Sequence, residues 1–474
     1  MPKSIHSTQP PLKFIPPNFQ PWVLKLMSWF LPFVMRVRTR PWLPAGIVKI
    51  EAKNAEVLAK LYHEFQAGKI RFLIAFRHPE VEDPLSMLYL LSRIVPQVAR
   101  EKGISLQYPV HSHFMYERGM TLWAGKWLGW LFSRAGGVPV RRGRKVDRNA
   151  IQMARNLFAN AKMPIAIAPE GGTNGHSGVV SPLEPGVAQL GFWCVEDLHK
   201  ANREETVFII PIAIKYSYVN PPWQKIDWLL SKLEADSGLG VAEISQTGKK
   251  QEEILYQRIL HLAAYLITEM EEFYRRFHHR DLPEITPAIT SEDTAKPNEI
   301  LITRLHRLMD TALQITEQYF NVQPQGNFID RCRRLEEAGW NYIYRDDIAD
   351  INSLPPLKRG LADWVAEEAD LKMQHIRIAE SFVAVTANYI QEKPTADRFA
   401  ETTLLMFDML SRIKDSTLPG RPRLGLKQST IIIGKPISVT ERWQISQGNK
   451  QASRKGVNDL TKDLQMALEE LIKD

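Results

Sequence analysis

Two patterns of apolar positions divide the chain. From residue 51 to about 230, short apolar runs alternate with longer stretches in which apolar residues recur every three or four positions. The runs predict strands at 47–51, 71–76, 138–140, 164–168 and 207–215, and the periodic stretches predict helices at 54–67, 85–100, 118–133, 147–159 and 186–200. A strand covered on both faces is apolar throughout, whereas a surface helix carries one apolar stripe. Their alternation implies an α/β domain with helices on both faces of its sheet.

The pattern then changes. Segments 252–277, 299–320, 328–338, 361–388 and 400–413 read as amphipathic helices, and 281–298 and 391–396 are linkers rich in Pro, Asp, Ser and Thr. Strand character returns at 430–433 and 437–440 around Gly434-Lys435-Pro436, and a last helix is predicted at 457–472. Strands that reappear after a helical block imply insertion rather than addition at one end. The expected divisions are an arm at 1–50, an α/β domain built from 51–230 and 427–474, and an inserted helical module at 245–415. A length of 474 residues accommodates such an arrangement.

Charge sharpens the picture at the N-terminus. Of the net +8, residues 1–50 supply seven basic side chains and no acidic one. Within this arm, VLKLMSWFLPFVM (23–35) is too short to span a bilayer as a helix and is interrupted by Lys25 and Pro32. Trp22, Trp29 and Trp42 lie beside the basic residues, as in segments resting at a lipid headgroup layer. A second aromatic cluster, Trp123, Trp127 and Trp130, has the spacing of one helical face. An anionic membrane surface is the expected partner, and the protein is expected to be peripheral and to face the cytoplasm. No zinc-finger spacing or aromatic RNA-binding signature supports a nucleic-acid partner. Two cysteines, Cys194 and Cys332, exclude a disulfide scaffold and favour a reducing compartment.

Three segments carry candidate chemistry. In RFLIAFRHPEVEDPLSMLYLL (71–91), a strand ends near His78 and Asp83-Pro84 opens a helix. A carboxylate at that spacing can fix the tautomer of an imidazole whose other nitrogen accepts a proton. In PIAIAPEGGTNGHSG (164–178), an apolar strand runs into Glu170-Gly171-Gly172-Thr173, a turn that can present a carboxylate and backbone amides. In AGGVPVRRGRKVDR (135–148), Arg141, Arg142 and Arg144 follow a short strand, and guanidinium forks suit phosphate oxygens. His111 and His113 alternate as on a strand without a third metal ligand, so no metal site is expected.

In this order and spacing the segments resemble the glycerolipid acyltransferase family, which includes lysophosphatidate and glycerol-3-phosphate acyltransferases. His78 and Asp83 match its H-x4-D block. Gly136, Val138 and Arg142 look like its second block, Glu170 and Gly171 match its third, and FIIPIAI (208–214), centred on Pro211, is similar to its fourth. The resemblance implies a mixed sheet flanked by helices, with the all-helical module inserted. It also implies transfer of a fatty acyl group from acyl-CoA or acyl carrier protein to the hydroxyl of a glycerolipid or lysolipid, with no cofactor. His78 would be the general base, Asp83 its orienter and Arg142 the contact to the acceptor headgroup. Glu170 and Gly171 would bind acceptor polar groups or organise the loop, with Arg141, Arg144, Gly172 and Thr173 accessory. Where the family usually has an arginine after Glu-Gly, this chain has Gly172-Thr173-Asn174, which leaves open acceptors with another polar head. The alternative is a catalytically altered, membrane-associated interaction protein with an acyltransferase-like fold.

Overall fold

The computed structural model describes residues 7–11, 14–40, 43, 45–123, 125–140, 148–240, 250–282, 297–348, 350–382, 385, 388–414, 420–446 and 450–473. The chain forms two compact units, one made of Lys13–Val219 with Leu426–Asp474 and the other of Met1–Leu12 with Asn220–Gly425.

The first unit begins with α1 (Pro21–Arg36), β1 (Ile47–Lys53), α2 (Ala55–Gln66) and β2 (Ile70–Phe76), followed by α3 (Asp83–Tyr89), a π-helical turn at Leu90–Ile94 and α4 (Val95–Glu101). It continues through β3 (His113–Glu117), α5 (Met120–Trp123), α6 (Lys126–Arg134), β4 (Val138–Val140), α7 (Arg148–Asn160), β5 (Ile165–Ile167), α8 (Gly186–Lys200) and β6 (Thr206–Tyr218). Strand β3 is signalled in sequence only by the alternation of His111 and His113. The predicted single helix over 118–133 is two helices, because Gly125 sits at φ +107°, a conformation that favours glycine and ends a helix. Trp123 is therefore on α5, while Trp127 and Trp130 stand exposed on α6.

The second unit contains α9 (Trp223–Asp236), α10 (Gln251–His278), α11 (Pro297–Phe320), α12 (Phe328–Ile343), α13 (Pro356–Ser381), α14 (Tyr389–Glu392) and α15 (Ala396–Lys414). Its core gathers Tyr274, Leu313, Leu335, Ala366 and Met373. A Cβ at Gly339 would lie 2.5 Å from the Met373 side chain, so glycine permits α12 and α13 to approach closely. The N-terminal residues join this unit: the Thr8 amide donates to Asp363 Oδ1 at 2.8 Å, and the Gln9 amide to Ile343 O at 2.9 Å. The basic arm read from the sequence is thus shared, with residues 8 and 9 held in the helical unit and α1 in the sheet unit.

The chain re-enters the first unit through β7 (Lys427–Ile433), β8 (Ile437–Ser438), α16 (Val439–Ile445) and α17 (Lys450–Lys473). Its exit and return points are bonded, the Val219 amide donating to Leu426 O at 2.9 Å.

The sheet runs β1-β7-β6-β2-β5-β3-β4, with β8 beside β6. Strands β7 and β8 pair antiparallel to β6 and the other pairings are parallel, which makes the sheet mixed. Every residue of β2 is buried, and its alternate side chains enter two cores, as the two-residue strand period requires. Phe72, Ile74 and Phe76 pack with α1, α2 and the helix after β2, whereas Leu73 and Ala75 pack with α7, α8 and α17. Helix α1 opens with Pro at a position where the missing N–H is harmless. It buries Val23, Leu24, Leu31 and Met35 and leaves Trp22, Leu26, Trp29 and Phe33 about half exposed or more. Among the described residues no helix is long and apolar enough to cross a membrane.

Candidate active site

Parallel pairing of β2 with β5 aligns Leu73 with Ile165 and Ala75 with Ile167. Continued three residues past Ala75 and Ile167, that register sets His78 opposite Glu170. The loops after both strands therefore meet at the carboxyl edge of the sheet, where open α/β folds place sites. The His78 backbone N–H donates to Glu170 Oε1 at 3.0 Å, closing the junction.

His78 Nδ1 lies 3.0 Å from Asp83 Oδ2. Asp83, at the first turn of α3, is fully buried and accepts two further bonds, from the Glu80 amide at 2.8 Å and from the Tyr216 hydroxyl at 2.6 Å. A carboxylate held by three donors cannot rotate away from the imidazole. Burial pushes the Asp83 carboxyl above the ordinary aspartate value, against the pull of His78 and the other donors. Burial, then the adjacent Asp83, raises the Tyr216 phenol well above its usual range, so Tyr216 remains a donor. With Nδ1 donating to Asp83, Nε2 of His78 carries the lone pair. The side chain is 19% exposed, with the Phe76 ring edge-on at 6.2 Å between centroids.

Glu170 is the hub of the second loop. Oε1 faces Arg77 Nε at 3.4 Å, and Oε2 accepts from the Ser181 amide at 2.8 Å and Asn174 Nδ2 at 3.1 Å. Arg77, wholly buried, donates to the carbonyls of His176, Ser177 and Val179. The loop from Glu170 to Ser181 is thus laced to the end of β2, and Gly171, at φ +74°, turns the chain away from Glu170. Thr173 is exposed and Gly172 partly so. Asn174, in the stretch where the family usually has arginine, bonds to Glu170, Val179 and Ser181.

Strand β4 ends at the same edge, because it runs parallel to β3 and β3 to β5. Arg141, Arg142 and Arg144 follow β4 and lie outside the described residues, as does Trp42. His111 and His113 bind carbonyls, with His111 Nε2 donating to Ala135 O at 2.9 Å and His113 Nδ1 to Gly136 O at 2.7 Å. Among the described residues no cluster of His, Cys, Asp and Glu is placed to hold a metal ion. Cys194 is buried against the sheet, and burial raises its thiol to about 12.

Sequence reading missed Arg77, Tyr216 and Lys427. Lys427, on β7, pairs with Glu80 at 2.9 Å and fastens the middle of the H-x4-D loop. Tyr216 and Lys427 reach the loop through strand pairing, which no local motif encodes. Arg77, an arginine at the end of a buried strand, carried a local signal.

Residues 49–215 match the family model described as Acyltransferase. The chain therefore carries an acyltransferase domain characteristic of the glycerolipid acyltransferase superfamily, and the match supports acyl transfer as its general reaction. No curated protein and no solved structure matches the chain.

Proposed function

We propose that this protein transfers a fatty acyl group from acyl-CoA or acyl carrier protein to the hydroxyl of a lysolipid or glycerolipid at an anionic membrane surface on the cytoplasmic side. The observation that carries the reading is the His78 to Asp83 contact, with Asp83 fixed by Tyr216 and the Glu80 amide. In this mechanism Nε2 of His78 takes the acceptor's hydroxyl proton as the alkoxide oxygen bonds to the thioester carbonyl carbon. The tetrahedral intermediate then collapses, the C–S bond breaks, and the imidazolium returns the proton to the leaving thiolate. Attack is direct, without an acyl-enzyme. Asp83 holds the tautomer and stabilises the transient imidazolium charge.

Glu170 is assigned to organising the loop, since both its oxygens already have partners within the protein. Gly171 supplies the turn that its φ of +74° permits. Arg142 is proposed to hold the acceptor's anionic headgroup, supported by its place in the block that follows β4, with Arg141 and Arg144 accessory. The membrane reading is supported by the outer face of α1, where apolar rings are exposed on a helix that has no acidic residue.

The test is thiol release from an acyl thioester in the presence of a panel of lysolipids. Wild type should release thiol only with acceptor present, and H78A should lose about 100-fold or more while keeping its circular dichroism. Undiminished turnover in H78A would remove His78 from the chemistry.

A further inference from the structure

Helix α1 contains Pro32, which has no N–H to offer the carbonyl four residues earlier. That carbonyl belongs to Ser28, and it is met from outside the helix: Arg93 Nη2 donates to Ser28 O at 3.0 Å. Arg93 lies in the π-helical turn that interrupts the helix starting at Asp83. One guanidinium nitrogen is thereby engaged on α1, and the Tyr89 ring lies 5.7 Å beneath the group. The remaining Arg93 donors are held in place beside a groove between α1 and the π turn.

The groove has a volume of about 570 Å³ and is lined by Trp22, Lys25, Leu26, Trp29, Ser92 and Arg93, among others, with no carboxylate in its wall. Two cations facing an acid-free groove complement an anion. Trp22 and Trp29 at its rim are 59% and 71% exposed, which is the disposition of rings that settle at the level of lipid headgroups. A soluble anion would gain nothing from those rings, whereas a lipid offers phosphate to the cations and glycerol and upper chain to the tryptophans.

We infer that this groove is a binding site for the phosphate headgroup of an anionic membrane glycerophospholipid, with Lys25 and Arg93 as its ligands. The site is separate from His78 and is occupied by a lipid of the bilayer rather than by the acceptor. It rests on the membrane reading above and adds to it a defined contact in place of diffuse surface attraction. The π turn then has a purpose, since it sets Arg93 where it can satisfy Ser28 and still face the groove.

The experiment compares the full-length protein, K25Q/R93Q and K60Q/K69Q by sedimentation with phosphatidylcholine vesicles, with and without phosphatidylglycerol. R93Q also removes the bond to Ser28 O, so thermal melts check that the fold survives. Lys60 and Lys69 are exposed on or just after α2, outside the groove, so their removal subtracts the same charge. The expected result is a loss of about tenfold or more in affinity for the phosphatidylglycerol vesicles in K25Q/R93Q, and about twofold or less in K60Q/K69Q. Equal losses in the two variants would overturn the groove site and leave the membrane reading intact. Failure of the wild type to bind either vesicle would overturn both.

Discussion

His78 and the pair His111 and His113 belong to the same unit, yet their imidazoles are held in opposite ways. His78 gives one nitrogen to a carboxylate and keeps part of its side chain exposed. His111 and His113 each give a nitrogen to a backbone carbonyl of the turn at Ala135 and Gly136, inside the protein. The first arrangement is the one the proposed reaction uses, with Asp83 fixed beside the ring by the Glu80 amide and the Tyr216 hydroxyl. The second opposes gain of a proton: burial lowers His111 to about 4 and lowers His113 as well, and His111 Nδ1 has no partner. What a histidine can do is set by the group bonded to its other nitrogen.

The sharpest way to break this contrast is to exchange outcomes between the sites. H78A should cost 10²- to 10⁴-fold in turnover, roughly 3 to 5 kcal/mol of barrier, with little change in melting temperature. H111Q should behave in reverse, keeping turnover while altering stability with pH. The folded state holds His111 near 4 against an ordinary value of 6.5, so the unfolded chain binds the proton more readily. Its contribution is complete above about pH 6.5 and is lost as pH falls toward 4, amounting to roughly 3 kcal/mol. Denaturant titrations at pH 7 and 4.5 should show a smaller acid loss in H111Q, whose amide keeps a donor for Ala135 O. An identical pH dependence in both proteins would show that His111 is not buried neutral.

Smaller effects refine the comparison. Y216F removes one of three donors from Asp83 and should lower kcat about tenfold with KM nearly unchanged, and Asp83 is left to be aligned by the Glu80 amide and His78. A loss confined to KM would assign Tyr216 to substrate binding instead. At the other site, Gly136 has φ +81°, and an added Cβ would stand 3.1 Å from His113 Nδ1. G136A should therefore destabilise by about 1–2 kcal/mol, read as a drop of several degrees in melting temperature.

Much of this was legible in the chain. The continuous apolar runs located β2, β5 and β6, and the H-x4-D spacing named the two residues that lie 3.0 Å apart. What escaped was whatever depends on pairing between distant segments. Tyr216 reaches Asp83 because β6 lies beside β2, and Lys427 reaches Glu80 because β7 lies beside β6. The tryptophan spacing over 123–130 misled for a different reason: periodicity counts positions and is blind to a glycine that takes positive φ between them.

The pairing of β1 with β7 has a consequence for the order in which the protein can be made. Among the described strands, β7 is the sole neighbour of β1, and the Asn54 side chain bonds to the Ile433 carbonyl 379 residues later. At about 5–20 residues per second, the ribosome completes that partner roughly 20–75 s after it completes β1. Throughout that interval α1, with its tryptophans, is tethered to a strand that has no edge to join. The sheet unit therefore closes only after the whole helical unit has been made, and its outermost strand is the first to be synthesised and among the last to be paired.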